Sequence, residues 1–470
     1  MRIRWIVLVL ALVLGAQPLV AEDGQPVDGL QQAYTPGRLV DGEVVPSAPT
    51  AYNGELLELQ AVRIGHNAGE PTIGVDRDGV AFYAALQGTT DVRRSTDGGL
   101  TWESVRPQVA GVNNPPATLD PYVYVDEETG RVFNIELTVA CSYLNFSDDQ
   151  GETWTTNPLA CGQFVNDHQT IVVADPVPPL QTVGYPNVVY YCFNRVTDAS
   201  CSRSLDGGLT WTPTGTPTYP GYEVGEDYNK FGVPGLCGGL HGHVVADGDG
   251  RIFIPKAHCG LPSLAVSDDN GVTWRRSIVS TELITGIAHV GEHTSVTTDE
   301  AGNVYYLWYD DDRRLMWLAA STDHGATFGE PMLVSPPGVT QVNFPTMVAG
   351  DEGKLALLFP GTTVEGDDPA RPWNSYVVVT ENALADDPVF LSTTANDPAD
   401  PIHRGDCHGR CGGMLDFLDI ITSPVDGALW AAIVDTCISA ACLDGSGPAN
   451  AADGIAVRQL GGPSIRTVGG

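Results

Sequence analysis

One eight-residue phrase, Ser-x-Asp-x-Gly-x-Thr-Trp or its Phe-ending variant, occurs five times in this chain of 470 residues and constrains its fold more than any other feature. The copies begin at Ser95, Ser147, Ser204, Ser267 and Ser321. Subtracting successive positions gives steps of 52, 57, 63 and 54 residues, enough chain for a four-stranded sheet and too much for most solenoid repeats. The repeat therefore predicts an all-β protein, a single β-propeller of four-stranded blades.

Each copy of the phrase is typical of a tight turn between two strands, because Asp and Gly favour turns while Thr and Trp favour strands. We therefore interpret the five phrase aspartates as structural: Asp97, Asp149, Asp206, Asp269 and Asp323. The phrase resembles the Asp box, or BNR repeat, of the sialidase-like β-propeller superfamily. That resemblance implies that the box joins the two outer strands of a blade, on the face away from the active site.

A second pattern counts the blades: a polar residue, an apolar run and a turn containing Asp or Gly recur seven times. The copies cover residues 69–76, 120–126, 168–175, 241–247, 293–299, 343–351 and 416–421. This pattern is typical of inner strands, so seven blades are favoured, with six, the number in sialidases, as the alternative. Because the chain ends one strand short, we predict that residues 56–62 complete the last blade and close the ring, which removes two exposed sheet edges.

The ends of the chain differ in composition from the rest. Residues 1–21 place Arg2 and Arg4 before an apolar run and end in small residues, which is typical of a secretory signal peptide. Residues 22–50 predict a flexible leader, residues 51–462 the propeller and residues 463–470 a C-terminal tail. We expect a secreted or periplasmic monomer with no membrane span after signal removal.

Charge and cysteine content limit the partners and the chemistry. With 24 Lys and Arg against 58 Asp and Glu, the formal net charge is −34, so we expect no nucleic-acid partner. Ten cysteines lie beyond the signal segment, and in an exported chain they favour disulfides over metal thiolates. We predict adjacent pairs, Cys141–Cys161, Cys192–Cys201 and Cys237–Cys259, with the last four cysteines paired among themselves.

Polar residues cluster on the face opposite the boxes, which nine of the ten histidines also share. Aligning the inner strands on their turn aspartates puts Glu70, Asp120, Gln169, His241 and His293 at one equivalent position. Three interpretations stay open: a polar lining of the axial funnel, a divalent metal site, or acid–base catalysis without metal. The metal hypothesis uses His168, His241, His243 and His293, with one divalent ion in the funnel.

The catalytic candidates are acids, a histidine and a tyrosine on that face: Glu70, Asp91, Asp120, His241 and Tyr309. The ligand-binding candidates are Arg313, Arg404 and Asp416. The superfamily resemblance also implies a Phe/Tyr-Arg-Ile-Pro phrase whose arginine clamps a sugar carboxylate. Here Gly69 and Glu70 precede Pro71 instead, so that arginine is missing.

We therefore predict a propeller that binds or acts on an extracellular carbohydrate, or another small extracellular ligand, at the funnel. If it is an enzyme, the resemblance implies a sialidase-like glycosidase. Two alternatives remain: a non-catalytic binding or scaffold propeller, and a metal-assisted polysaccharide lyase that removes a proton beside a uronate carboxylate.

Overall fold

The computed structural model describes most of the propeller. The described residues are 27, 29–86, 90–109, 112–113, 120–138, 141–159, 167–194, 199–216, 240–258, 260–283, 285, 294–310, 313–407 and 410–469. The predicted signal peptide, His293, Cys161, Cys237, Cys259 and the side chain of Cys141 lie outside this description. Within it, the single helix is α1 (Ala440–Leu443), and no helix is long and apolar enough to cross a membrane.

Five strands precede the first blade. They are β1 (Gln32–Thr35), β2 (Gly37–Val40), β3 (Glu43–Val45), β4 (Ala48–Pro49) and β5 (Glu58–Asn67).

The first four blades each consist of four consecutive antiparallel strands. Blade 1 contains β6 (Thr72–Val75), β7 (Ala81–Leu86), β8 (Thr90–Ser95) and β9 (Glu103–Ser104), and the hairpin β10 (Gln108–Val109) and β11 (Val112–Asn113) follows it. Blade 2 contains β12 (Pro121–Val125), β13 (Val132–Thr138), β14 (Cys141–Ser147) and β15 (Thr155–Leu159). Blade 3 contains β16 (Asp167–Ala174), β17 (Val188–Asn194), β18 (Ala199–Ser204) and β19 (Thr212–Pro213). Blade 4 contains β20 (Val245–Ala246), β21 (Ile252–His258), β22 (Leu261–Ser267) and β23 (Arg275–Ile278).

The last three blades recruit strands from the N-terminal segment. Blade 5 contains β24 (Thr294–Thr298), β25 (Val304–Tyr309), β26 (Met316–Ser321) and β27 (Met332–Leu333), extended by β2 and β3. Blade 6 contains β28 (Gln341–Val342), β29 (Thr346–Ala349), β30 (Leu355–Thr362), β31 (Pro372–Thr380) and β32 (Phe390–Thr394), extended by β1 and β4, and β33 (His403–Arg404) pairs with β31. Blade 7 contains β34 (Asp419–Thr422), β35 (Leu429–Asp435), β36 (Asp453–Gly461) and β5.

The inner strands form a closed ring. In the described part of the chain, β6, β12, β16, β20, β24, β29 and β34 contact one another in that order, and β34 contacts β6. The ring therefore has seven blades, the number that the sequence favours, and the predicted all-β propeller is confirmed. Apolar side chains fill the space between neighbouring blades, as Trp308 and Trp317 of blade 5 do against Phe253 and Leu264 of blade 4.

The N-terminal strand closes the ring as predicted. β5 pairs antiparallel with β36, with Ala61 opposite Val457 and Arg63 opposite Ile455. The strand begins two residues later than expected and continues to Asn67. The last blade therefore joins the two ends of the propeller by backbone hydrogen bonds, with β5 as its outermost strand.

The segment predicted to be a flexible leader is ordered where it is described. β1 pairs with β32 of blade 6, and β2 pairs with β27 of blade 5. Tyr34 is fully buried, and its hydroxyl donates to the carbonyl oxygen of Val334 at 2.6 Å. These strands are held by pairing with two distant sheet edges and have no core of their own. For that reason the sequence of the segment shows no regular spacing of apolar residues.

The Asp boxes lie between the third and fourth strands of blades 1 to 5. In the first box, Asp97 accepts hydrogen bonds from the Ser95 hydroxyl at 2.8 Å and from the Thr101 amide at 2.9 Å. The same bonds recur in the other four copies. Hydrogen bonds from the Thr327 side chain and amide lower the pKa of Asp323 to about 2. This geometry supports the structural interpretation of the box aspartates.

The C-terminal tail crosses from blade 7 to two other blades. Ile465 is fully buried, and its carbonyl accepts the Asp351 amide at 2.8 Å in blade 6. The Arg466 guanidinium pairs with both carboxylate oxygens of Glu127 in blade 2, at 3.0 and 2.7 Å. Thr467 donates its hydroxyl to Asp351 at 2.6 Å. The tail thus ties three blades together.

Candidate functional site

Three carboxyl groups that the sequence singled out meet at the entrance to the inner strands. Glu70 lies just before β6, Asp120 just before β12 and Asp416 just before β34. The Glu70 side chain hydrogen-bonds to both other carboxyl groups. Their exposed fractions are 1%, 9% and 4%. Because blades 7, 1 and 2 are consecutive around the closed ring, residues 346 positions apart (416 minus 70) share one cluster.

Burial and mutual repulsion raise the pKa values of the carboxyl groups in this cluster. Burial raises the pKa of Glu70 well above its usual range, and the neighbouring Asp120 and Asp416 charges raise it further. Burial, with the charge of Asp167, raises the pKa of Asp120 to about 7. Burial also raises the pKa of Asp416, which the guanidinium of Arg410 opposes. A carboxylic acid that stays protonated near neutral pH is suited to donate a proton to a substrate.

The guanidinium group of Arg410 lies beside the carboxyl cluster. Nη2 of Arg410 lies 3.2 Å from Oδ2 of Asp416, and the arginine side chain is about half exposed. No sequence motif distinguished Arg410 from the other arginines of the chain. Its partner is set by the path of residues 410–416, which the sequence does not reveal.

Backbone strain collects around the same entrance. Six non-glycine residues of this face have φ between 42° and 69°. They are Glu70, His168, Arg314, Phe344, Cys411 and Leu415. The other described non-glycine residues with positive φ are the box residues Gln150, Asn270 and His324, and Asp41 in a turn. Each such residue costs on the order of 1–3 kcal/mol, so their gathering at one place supports a functional site there.

A disulfide holds the segment that leads into the cluster. Cys407 pairs with Cys411, and the Cys407 carbonyl accepts Nδ2 of Asn343 at 2.7 Å. Further along the segment, the Met414 carbonyl accepts the Glu70 amide at 3.1 Å. This disulfide-closed segment therefore fixes the backbone of Glu70. The pairs Cys192–Cys201 and Cys437–Cys442 also match the predicted pairing.

Three predicted histidines pack together next to the carboxyl groups. The ring centroid of His168 lies 5.6 Å from that of His241 and 5.9 Å from that of His243. The His168 amide donates to Oδ2 of Asp120 at 3.2 Å, which joins the two clusters. Phe417 packs against His168 and His243 at 5.0 and 4.9 Å. The structure therefore brings together the three described members of the predicted metal set.

Burial makes these imidazoles neutral. It lowers the pKa of His241 to about 4 and that of His243 to about 3, and it lowers the pKa of His168 well below its usual range. Within the described ranges, no group of three or more His, Cys, Asp or Glu side chains is arranged to hold a metal ion. Because His293 lies outside those ranges, the metal site stays a prediction.

The ring axis beneath the histidines is narrow and largely apolar. A cavity of about 200 Å³ there is lined by Tyr122, His243 and Asp419 together with Val, Ile, Thr and Met side chains of the inner strands. Nδ1 of His243 lies 3.8 Å from Oδ1 of Asp419. Burial raises the pKa of Asp419 to about 7. The clustered polar groups thus lie at one end of an apolar axis.

The other candidate residues, apart from His241, make their contacts outside the carboxyl and histidine clusters. Asp91 of β8 contacts His66 and Arg93 on the outer part of blade 1. Tyr309 is buried in the apolar core between blades 5 and 6. The exposed Arg313 donates its amide to Asp310 at 2.6 Å, and Nη1 of the half-buried Arg404 donates to the Ala370 carbonyl at 2.8 Å. Nδ1 of His241 contacts the Gly242 carbonyl at 2.7 Å.

Comparison with known proteins agrees with the Asp-box resemblance. No protein-family model matches the chain. It is 28% identical over 374 residues to a sialidase from Micromonospora viridifaciens, a match that covers 74% of this chain and 47% of that protein. The chain thus spans about half the length of this relative. Together with the five Asp boxes and the blade ring, this match confirms the predicted resemblance to the sialidase-like, Asp-box β-propeller superfamily.

Solved propellers of several kinds are also similar. A mutant of the NanB sialidase from Streptococcus pneumoniae matches with a TM-score of 0.45 and 12% identity, covering 88% of this chain and 71% of that one. A lectin from Aleuria aurantia matches with a TM-score of 0.43 and 10% identity, covering 70% of this chain and 96% of the lectin.

Proposed function

We propose that this protein binds an extracellular carbohydrate at the funnel and hydrolyses a glycosidic bond there, with Glu70 and Asp120 as the proton-transferring pair. The observation that carries the proposal is the buried Glu70–Asp120–Asp416 cluster, in which burial raises the pKa of all three carboxyl groups. The match to a sialidase supports a glycosidic substrate. Two carboxyl groups, one donating and one accepting a proton, are the usual requirement for glycoside hydrolysis.

In this mechanism, Glu70 gives its proton to the glycosidic oxygen while the bond between that oxygen and the anomeric carbon breaks. Because the two carboxyl groups lie on the same side of the sugar, water attacks the anomeric carbon from the side that the leaving group has vacated. It gives its proton to the Asp120 carboxylate, whose pKa of about 7 places it near the working pH. Because the two side chains are hydrogen-bonded, the proton gained by Asp120 returns to Glu70 after the sugar leaves. This transfer restores the starting state.

Arg410 gives the site a preference for acidic sugars. Its half-exposed guanidinium pairs with Asp416 at 3.2 Å, and a sugar carboxylate binding there replaces or joins that partner. This arrangement takes the place of the missing Arg phrase before Pro71. Unlike the predicted ligand-binding residues Arg313 and Arg404, Arg410 pairs with a member of the carboxyl cluster.

The test is release of reducing sugar from a panel of sialosides and other polysaccharides. Glu70→Gln should lower kcat by about 10²–10⁴-fold, the usual contribution of a general acid, and Asp120→Asn should act similarly. Asp386→Asn, which changes an exposed carboxyl far along blade 6, is the matched control. Full activity in Glu70→Gln would contradict the assignment.

A non-catalytic binding propeller is the second candidate, and the burial of Glu70 and His241, 1% and 0% exposed, favours it. Binding on a glycan array without product from any substrate would support that candidate. Products with the absorbance of an unsaturated uronate would instead indicate the lyase alternative.

A further inference from the structure

The dipeptide Asn-Gly occurs twice in the sequence, at Asn53–Gly54 and at Asn270–Gly271. In this dipeptide an asparagine side chain reacts most readily with its own main chain, because glycine has no side chain to shield the following amide nitrogen. The two copies lie in different parts of the fold. The first is in the segment between β4 and β5, and the second is in the Asp box of blade 4.

The first Asn-Gly pair is open to solvent. Asn53 and Gly54 are both exposed and lie outside any strand. Among the described residues, no hydrogen bond holds the Asn53 side chain, and none engages the Gly54 amide. The side-chain carbon Cγ of Asn53 can therefore approach the Gly54 nitrogen without breaking any contact of the fold.

The packing of Tyr52 explains why glycine follows Asn53. A Cβ atom at position 54 would lie 2.5 Å from the Tyr52 hydroxyl oxygen and 2.6 Å from the ring carbon that carries this oxygen. Tyr52 is half-buried and packs against the apolar core between blades 6 and 7, which limits how far its ring can move. The fold thus favours, at position 54, the residue that also makes Asn53 reactive.

The second Asn-Gly pair is held on both sides. Asn270 is 6% exposed, its Oδ1 accepts the Val177 amide at 2.8 Å, and its Nδ2 donates to the Val177 carbonyl at 2.8 Å. The Gly271 amide donates to the Ser267 hydroxyl at 2.8 Å. Both reacting groups are therefore occupied, and Asn270 can react only after this part of the box opens.

We propose that Asn53 is a site of spontaneous deamidation in the folded protein, whereas Asn270 is protected. The Gly54 nitrogen attacks Cγ of Asn53, and the new carbon–nitrogen bond closes a five-membered succinimide ring. The side-chain nitrogen of Asn53 leaves as ammonia and takes with it the proton that the Gly54 nitrogen loses. Water then opens the ring at either carbonyl, which yields aspartate or isoaspartate.

The reaction adds charge to a surface that is already acidic. Asn53 lines a cavity of about 300 Å³ together with Tyr52 and Glu381. Burial raises the pKa of Tyr52, and the charges of Glu381 and Glu55 raise it further. The product places another carboxylate there, five residues before β5 begins (58 minus 53). In the isoaspartate form the main chain passes through Cβ, which lengthens the connection to the ring-closing strand by one carbon atom.

Incubating the full chain at about pH 8 and about 37 °C, followed by reduction, trypsin digestion and mass spectrometry, measures both sites at once. Peptide 39–63 contains Asn53 and peptide 257–275 contains Asn270, each as its only asparagine. Asn53 should deamidate faster than Asn270 by about tenfold or more, since the hydrogen bonds of Asn270 and Gly271 must break first. In urea, where the fold is lost, the two rates should become similar.

Asn53→Gln is the matched variant, because its longer side chain closes the corresponding six-membered ring far more slowly. It should abolish the mass change in peptide 39–63 and leave peptide 257–275 as in the wild type. Equal rates at the two sites of the folded protein, or a faster reaction at Asn270, would overturn the proposal. A rate ratio that stays the same in urea would show that the neighbouring sequence, and not the fold, sets the difference, which would also overturn it.

Discussion

Replacing Asp120 with Asn should make the stability of the protein much less dependent on pH. Asp120 is 9% exposed and lies against Glu70 and the His168 amide. Its pKa rises from an ordinary value of 3.8 to about 7 in the folded chain, chiefly because burial disfavours the carboxylate. The amide of Asn has nearly the same shape and does not titrate.

The magnitude follows from linkage between folding and protonation. A rise from 3.8 to about 7, at 1.36 kcal/mol per pH unit, corresponds to about 4 kcal/mol. Because the folded state holds the proton more tightly, this stability is fully present below about pH 4. It is lost as the pH rises through about 7. The wild type should therefore lose on the order of 4 kcal/mol between about pH 4 and pH 8 through this group alone.

Denaturant unfolding at pH 4.5 and pH 8, followed by tryptophan fluorescence, measures the effect. The informative quantity is the change with pH in the wild type minus the same change in Asp120→Asn, since contributions from groups that do not interact with Asp120 cancel. Asp386→Asn, at an exposed position, should show the pH dependence of the wild type. Removing the Asp120 charge also lowers the pKa of Glu70, which reduces the pH dependence further.

The reasoning would be refuted by an Asp120→Asn variant whose stability falls between these pH values as much as that of the wild type. A variant that is less stable than the wild type at pH 8 would show that the Asp120 hydrogen bonds outweigh the cost of its buried charge. Either result would also weaken the proposed role of Asp120 as a proton acceptor.

Three further outcomes are expected. Asp149→Ala removes three hydrogen bonds of an Asp box and should destabilise the fold by about 1–3 kcal/mol in denaturant unfolding, with kcat unchanged. Cys407→Ser combined with Cys411→Ser should lower kcat and shift the alkaline limb of the pH–rate profile, because that segment holds the backbone of the general acid Glu70, whereas unchanged kinetics would exclude a positioning role. Arg466→Ala should lower stability by about 1 kcal/mol, since a partly exposed pair with Glu127 is lost, and an unchanged melting temperature would show that the tail is not a tie between blades.

Much of the fold was predictable because its signals are local. Each Asp box contains its own hydrogen-bond partners within seven residues, so the turn and its two strands are encoded in one short phrase. The pattern of a polar residue, an apolar run and a turn, which recurs along the inner strands, predicted seven blades. The leader was mispredicted, since β1 and β2 gain their order from β32 and β27, several hundred residues away.

The candidate site was only partly predictable. Aligning the inner strands singled out Glu70, Asp120 and His241 and put them on one face, but alignment does not measure which of them touch. Tyr309 was a catalytic candidate on that face, yet its ring lies in the core between two blades. Arg410 carried no signal, because its partner depends on the turn that the Cys407–Cys411 disulfide closes.

The sequence alone determined the blade, the direction of its turns and the face on which chemistry is possible, because those properties depend on bonds and alternation within some fifty residues. Only the tertiary structure decided which polar groups meet. Closing the ring through β5 brings blade 7 against blade 1, so that Asp416 reaches Glu70, and excluding water there raises their pKa values. Burial and long-range contact, on which both results depend, are properties of the closed ring rather than of any repeat within it.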